Sequence, residues 1–418
     1  MLDIRLFREK PEIIQKDLEK RGMPTNKMDE VIKKDKKWRE KLEKVQEQRH
    51  KKNVASREIA ELKKNKKDAS KKIKEMQELN QKMNKLEEDV KKLKKQRDQA
   101  LMQIPNLLDE SVPVGENEED NVQISTWGKP GKKKVENHAK LMEKLGLADF
   151  ERAAKITGSG FAFLKGDLAL LDVALQRYAI DFLTGKDYTL IEPPMLVNYE
   201  AYKGVTDLHD FEDVMYKIED EDLYLTATSE HPMAAMHMNE VLSEEDLPLK
   251  YCGVSPCFRK EVGRHGIDTR GLFRMHQFNK VEQFVFCKPD ESKELHEELL
   301  ANTEELHKTL GIPYRIVNVC TGDIGTVAAK KYDLEGWSPR QNKYIELASC
   351  SNCTDYQARR LRVRYGKYGG DKEIVHTLNS TGIATSRVML AIIENFQENS
   401  KIKLPKVLWP YMNKKEIK

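Results

Sequence analysis

Between Gly22 and Gly115 the chain has no glycine, and between Pro24 and Pro105 it has no proline. These are the residues that stop helices, so a stretch this long without either predicts long helix. Apolar spacing agrees. Ile73, Met76, Leu79, Met83, Leu86, Val90 and Leu93 follow at intervals of three and four, close to the a/d seam of a coiled coil. Val31, Trp38, Leu42 and Val45 form a similar stripe upstream, which weakens toward Val54, Ile59 and Leu62. Residues 63–72 (KKNKKDASKK) offer no apolar side chain but Ala69, which predicts a tip where the chain reverses. Two helices of about 35 residues, at about 1.5 Å per residue, make a hairpin about 50 Å long. With one seam to bury, it projects rather than collapses.

Charge separates the hairpin from the rest. The whole chain holds 73 Lys and Arg against 69 Asp and Glu, a net of +4. Residues 31–100 alone hold 25 against 13, a net of +12, which leaves −8 on the remainder. A basic object is attached to a mildly acidic body. At 418 residues the chain exceeds one ordinary core. The expected division is an N-terminal domain at 1–104 with its arm at about 27–102, a linker at 105–129 rich in Pro, Gly, Asn and acids, and a globular domain at 130–418. No run of about 18 apolar residues predicts a membrane span. The charged N-terminus does not read as a signal peptide, and six cysteines do not read as a disulfide scaffold. A cytoplasmic location is expected.

In the globular part, helices are expected at 166–184, 230–242, 290–309, 354–363 and 383–397. Strands are expected at 188–191, 223–226, 249–259, 273–286, 313–319 and 343–348, with another ending at 379–382. They cluster without regular βαβ alternation. The expected class is therefore α+β with a largely antiparallel sheet. Neither GxGxxG nor GxxxxGK[ST] is present, so any nucleotide must sit on another scaffold.

Four segments carry chemistry. Residues 257–284 read as strand, loop, strand, with Arg259, Lys260 and Glu261 closing the first strand. The loop contains Gly263, Arg264, His265, Gly266, Arg270 and Gly271. The second strand would present Arg274, His276, Phe278, Lys280, Glu282 and Phe284 on one face. Guanidinium for phosphate and ring for base suit a nucleotide. An exposed face laced with ion pairs would give the same pattern. In residues 376–398 a strand leads into an apolar helix with Arg387 about one turn inside, and that arginine must be paired or reach a ligand. In residues 225–236, Thr228 and Ser229 can cap a helix that opens with Glu230. In residues 344–360, Glu346 and Ser349 at a strand end offer a carboxylate and a hydroxyl that suit Mg2+ bridging phosphates.

Together, FRKE with RGLFRMHQF, the GIATSR helix, TSEHP, IELASCSN with DYQARR and the basic front hairpin resemble the seryl-tRNA synthetase family of the common, bacterial-like type. The resemblance spans essentially the whole chain. It implies a class II synthetase core, with an antiparallel sheet flanked by helices, and a homodimer built on the 166–194 segment. By resemblance, Arg259 grips the ATP α-phosphate and the serine carboxylate. Glu261 and the backbone at Met275 meet adenine, and Phe278 stacks on it. Arg274 and Arg387 bind the polyphosphate, Lys260, Leu347 and Ala348 adjoin the nucleotide, and Glu346 and Ser349 hold Mg2+. For serine, Glu230 takes the ammonium, Glu282 and Thr381 the hydroxyl, and Thr228 and Ser229 shape the pocket. Bacterial members usually read TAE at 228–230 and Ser at 381. The TSE and Thr versions found here are associated with archaeal or related members, and both keep the hydroxyl and the carboxylate.

The implied reaction activates L-serine with ATP and passes it to serine tRNA, whose long variable arm lies on the hairpin. Selenocysteine tRNA is a further substrate in the family. Two other readings remain: an enzyme that activates an amino acid for a carrier protein, and a non-catalytic RNA-binding relative. Cys350 and Cys353 form one CxxC with no second pair at matching spacing, so no zinc is expected.

Overall fold

The computed structural model describes residues 1–131, 135–207, 212–261, 271–367 and 369–418, which form two compact units, Met1–Pro105 and Asn106–Lys418. In the first, α1 (Ile4–Glu9) and α2 (Pro11–Lys20) precede two long helices, α3 (Asn26–Lys64) and α4 (Ser70–Leu101). The reversal is tighter than the ten-residue tip expected. The Asp68 carboxylate accepts from both the backbone N–H and the hydroxyl of Ser70, which lets α4 start there. Lys41–Asp89 at 3.0 Å, Arg49–Glu87 at 2.7 Å and Lys72–Glu58 at 2.8 Å tie the helices across the seam. Most seam side chains are only half-buried, as one seam allows. At the base, Asp35 is buried and accepts from Arg8 Nε and Nη2 (2.9 and 2.8 Å) and Arg39 Nε (2.9 Å). Arg97 stands 4.4 Å above the Trp38 ring.

The second unit is built on an eight-stranded sheet. Its strands are β1 (Val122–Trp127), β2 (Thr189–Ile191), β3 (Leu249–Phe258), β4 (Gln277–Cys287), β5 (Tyr314–Asn318), β6 (Lys330–Ser338), β7 (Lys343–Thr354) and β8 (His376–Ala384). The order is β1-β5-β6-β7-β8-β4-β3-β2, antiparallel throughout except for the β2–β3 edge pair. The fold is thus α+β with a largely antiparallel sheet. Helices Asp167–Thr184, Ser292–Thr309 and Thr385–Phe396 pack on the sheet. Period-two alternation on β4 divides its side chains. Val281, Val285 and Cys287 join the core under these helices, where Gln283 donates to the Leu299 carbonyl and Thr303. Phe284 and Phe286 join a second core, while Phe278 and Lys280 line an open cleft. Among the described residues no helix is long and apolar enough to cross a membrane.

Several sequence expectations shift. The second chemistry-bearing strand begins at Gln277, not 273, so Arg274 and His276 precede it. His276 instead stacks on Phe161 at 5.1 Å and bonds Tyr216. The helix expected at 230–242 stops at Ala235. Asn239 turns at φ +67° and its N–H donates to the Leu361 carbonyl, which leads the chain into the short strand Val241–Ser243. Strand 343–348 continues to Thr354, and β6 was not anticipated. The stretch expected as a linker also does structural work in the second unit. Asn106 is buried with its amide donating to the Val327 and Cys353 carbonyls, and residues 122–127 form the edge strand β1. Gly263, Arg264, His265, Gly266 and Arg270 lie outside the described residues.

Candidate active site

One face of β4, β7 and β8, with the start of the Thr385–Phe396 helix, lines an open cleft. Arg259, Glu261, Arg274, Met275, Phe278, Glu346, Leu347, Ala348, Ser349, Thr381 and Arg387 line it. Residues separated by more than a hundred positions are therefore brought to one concave surface. Arg259, just past the end of β3, is aimed by two contacts. Its Nε donates to the Ala227 carbonyl at 3.1 Å, and its guanidinium lies 5.4 Å over the Phe278 ring. Among the described residues, its terminal nitrogens have no hydrogen-bond partner and face the cleft. Lys260 is placed differently: its ammonium stands 5.6 Å over the Tyr216 ring and does not line the cleft.

Glu346 sits at a β-bulge. The β6–β7 register slips between Leu334–Ala348 and Glu335–Glu346, which leaves Leu347 as the extra residue. Bulges re-aim side chains, and this one turns Glu346 into the cleft. There its Oε2 and its carbonyl accept from Arg387 Nη1 at 3.0 and 2.8 Å. Desolvation opposes ionisation, but Arg387 and Lys331 more than offset it and hold the Glu346 carboxyl well below the usual range. Arg387 also lies 5.7 Å over the Phe273 ring. Opposite Ser349 in the register is Asp333. Its Oδ2 meets Lys331 Nζ at 3.3 Å, while its Oδ1 is buried with no hydrogen-bond partner among the described residues. Carboxylate and hydroxyl oxygens of Glu346 and Ser349, with a spare buried oxygen behind them, are the hard donors that Mg2+ selects. Among the described residues no group of three or more His, Cys, Asp or Glu is arranged to hold a metal by itself. Cys350 and Cys353 are both free and buried.

Behind Lys280 and Thr381, which line the cleft, lies a cluster of mostly buried polar side chains. A second slip, between Thr381–Glu282 and Ile383–Val281, places a bulge at Gly382. Thr381 and Glu282 therefore face each other across β8 and β4. Lys280 Nζ lies 2.5 Å from Glu282 Oε2 and 3.2 Å from Thr228 Oγ1. Burial raises the Glu282 carboxyl to about 7 although Lys280 opposes the shift. Glu230 is raised for the same reason. One oxygen of Glu230, Oε1, accepts from Gln357 Nε2 and Asn379 Nδ2, each at 3.3 Å. Its other oxygen accepts from no described residue. The cluster thus brings two carboxylates and the Thr381 hydroxyl together behind the cleft. Ser229 does not cap its helix as expected: its hydroxyl donates to the Gly253 carbonyl. Thr228 Oγ1 accepts from the Glu230 N–H instead, at 3.3 Å.

Lys280, Asn379, Gln357 and Asp333 were not assigned roles from sequence. Lys280 could have been, since it lies on the β4 face between Phe278 and Glu282. Gln357 and Asn379 carry no local signal, because only folding brings them to Glu230.

Comparison with known proteins agrees with this geometry. Residues 1–108 match the seryl-tRNA synthetase N-terminal domain, and residues 215–396 match the tRNA synthetase class II core domain (G, H, P, S and T). The serine–tRNA ligase of Thermococcus sibiricus is 48% identical over all of this chain and 97% of its own length. Among solved structures, the Pyrococcus horikoshii seryl-tRNA synthetase complexed with ATP is 48% identical, with a TM-score of 0.94 over 100% of this chain and 99% of that one. The Naegleria fowleri cytoplasmic serine–tRNA ligase in complex with AMP is 42% identical, with a TM-score of 0.88 over 100% and 99%. The chain belongs to the seryl-tRNA synthetase family.

Proposed function

We propose that the protein is a serine–tRNA ligase that forms seryl-adenylate from L-serine and ATP and transfers the seryl group to the 3′-terminal ribose of serine tRNA. The observation that carries this reading is an arginine-rich cleft with an aromatic floor whose Lys280 and Thr381 end adjoins the carboxylates of Glu282 and Glu230, read here as a serine pocket. The cleft suits a nucleotide. The pocket suits a small zwitterion with one ammonium and one hydroxyl.

In the first step the serine carboxylate attacks the α-phosphate and pyrophosphate leaves. In the second the ribose hydroxyl attacks the seryl carbonyl and AMP leaves. Neither nucleophile belongs to the protein, so the residues position reactants and neutralise charge. Arg259 stands where the cleft meets the pocket and holds the α-phosphate and the serine carboxylate together. Phe278 carries adenine, with Glu261 and the Met275 backbone beside it, and Arg274 and Arg387 take the far phosphates. Glu230 accepts the ammonium, and Glu282 and Thr381 accept the hydroxyl. Glu346 and Ser349 would hold Mg2+, which neutralises phosphate charge when bound. A pocket built to bond a hydroxyl rejects alanine strongly, because buried polar groups are left unpaired. It rejects threonine only by volume.

The +12 hairpin attracts the tRNA backbone without reading bases. A homodimer is supported by apolar side chains left exposed on one segment: Ile156, Phe163, Leu170 and Val173 are 67, 45, 40 and 58% exposed. Six free cysteines suit the cytosol. Serine-dependent ATP–pyrophosphate exchange, with and without tRNA, tests the assignment. Exchange together with charging of serine tRNA is expected. Exchange without charging would favour a carrier-protein enzyme, and no exchange would leave only an RNA-binding relative.

A further inference from the structure

Residues 271–275 bring Phe273, Arg274 and Met275 into the cleft. Behind them, on the core side, stands His138. It is the first residue of the His138–Lys144 helix, which Asn137 caps, and it is fully buried. Its Nε2 accepts from the Leu272 N–H at 3.2 Å, and its Nδ1 lies 3.1 Å from Glu394 Oε1. A neutral imidazole has one donor and one acceptor. A backbone N–H can only donate, so Nε2 is the acceptor and Nδ1–H donates to Glu394. That carboxylate is itself held by Ser338 Oγ at 2.6 Å and Arg340 Nε at 2.9 Å, which fixes the ring. Gly271 completes the fit. Its φ is +129°, and a Cβ added there would overlap His138 Nε2, so the imidazole fills the space that a side chain would need.

Glu394 and Arg387 lie on the same helix, two turns or about 10.5 Å apart. The helix therefore holds the 271–275 segment from two sides. Arg387 meets the Phe273 ring in the cleft, and Glu394 reaches the Leu272 N–H through His138. We infer that His138 is a positioning residue that keeps Phe273 and Arg274 in register with Arg387 for nucleotide binding. It contacts no substrate and acts through the backbone of Leu272. The inference rests on the nucleotide reading of the cleft given above.

The test is ATP–pyrophosphate exchange by the full chain and by three variants: His138→Leu, His138→Gln and Gly271→Ala. His138→Leu removes the acceptor, and Gly271→Ala displaces the ring from the opposite side. Each should raise the KM for ATP about tenfold and leave the KM for serine within about twofold, because the serine pocket is built on other strands. His138→Gln can place an amide oxygen near the Nε2 position and should recover most of the loss. Purely structural damage would raise both KM values together and would not be rescued by Gln. Thermal melts of each variant separate a kinetic effect from instability. An unchanged KM for ATP in folded His138→Leu or Gly271→Ala, or equal rises for both substrates, overturns the inference. If His138→Leu does not fold, Gly271→Ala decides it by the same criterion. If the unaltered chain gives no exchange, the nucleotide reading itself is refuted, a result distinct from failure of the positioning role.

Discussion

Replacing Glu230 by Gln should separate function from stability. The Glu230 Oε1 atom accepts two amides, from Gln357 and Asn379, and a glutamine Oε1 can keep both. The change then falls on the other oxygen, which becomes an NH2 facing the pocket. A charge-assisted hydrogen bond to the serine ammonium is worth about 1.5–3 kcal/mol. The charge balance adds to this. With Glu230 neutral, Lys280 and Arg259 face Glu282 alone, so the cationic ammonium enters a positive pocket. A total of about 3 kcal/mol corresponds to a loss of roughly 150-fold in kcat/KM for serine. The KM for ATP should change by less than about threefold, because Glu230 does not line the nucleotide cleft. Stability should move the other way. Burial raises the Glu230 carboxyl above its unfolded value, so the ionised form costs folding energy at neutral pH and the neutral glutamine does not. Denaturation at pH 7 should show Glu230→Gln at least as stable as the parent. Serine-dependent exchange and urea titration provide both readings. A loss below about fivefold, or an equal loss measured against ATP, would refute the ammonium assignment.

Arg387→Ala should raise the KM for ATP and lower kcat together, by about 100-fold in kcat/KM for ATP, because it removes a phosphate contact and releases Glu346. Isothermal titration with a non-hydrolysable ATP analogue should show the binding share of that loss. Replacing Lys63, Lys64, Lys66 and Lys67 with Glu should raise the KM for tRNA by about tenfold or more and flatten its salt dependence, with pyrophosphate exchange unchanged. An unaltered KM and salt slope would show that the hairpin tip does not meet tRNA. Asp35→Asn should destabilise the N-terminal unit by about 2–3 kcal/mol, since the buried Arg97 loses part of its counter-charge while Arg8 and Arg39 regain solvent. Desolvation would raise the Asp35 carboxyl, but Arg8 and Arg39 lower it on balance. Its contribution is therefore present above about pH 4 and is lost as pH falls through the lowered value, and the variant should lack that acid sensitivity. Helical circular dichroism against urea at pH 7 and pH 3 measures both effects.

Recognition from sequence worked best where the chemistry is concentrated in short segments. Arg259, Glu346, Thr381 and Arg387 each sit in a recognisable run, and all four line the cleft. Lys260, in the same run as Arg259, faces Tyr216 instead, and adjacent residues of an extended chain point to opposite sides. The expected β4 face was right from Phe278 onward and wrong for Arg274 and His276, where the backbone bends before pairing begins.

The helical hairpin and its charge were determined by the sequence alone. Helix hydrogen bonds join residues four apart, so an uninterrupted run of good formers with a heptad seam carries the instruction locally. The sheet and the finish of the site were decided by tertiary structure. Pairing Asp333 with Ser349, turning Glu346 at a bulge, presenting Gln357 and Asn379 to Glu230, and setting His138 between Glu394 and Leu272 all require strands and helices distant in sequence to meet. Buried polar groups must find partners, and those partners are chosen by the packing of the whole unit, not by neighbours in the chain.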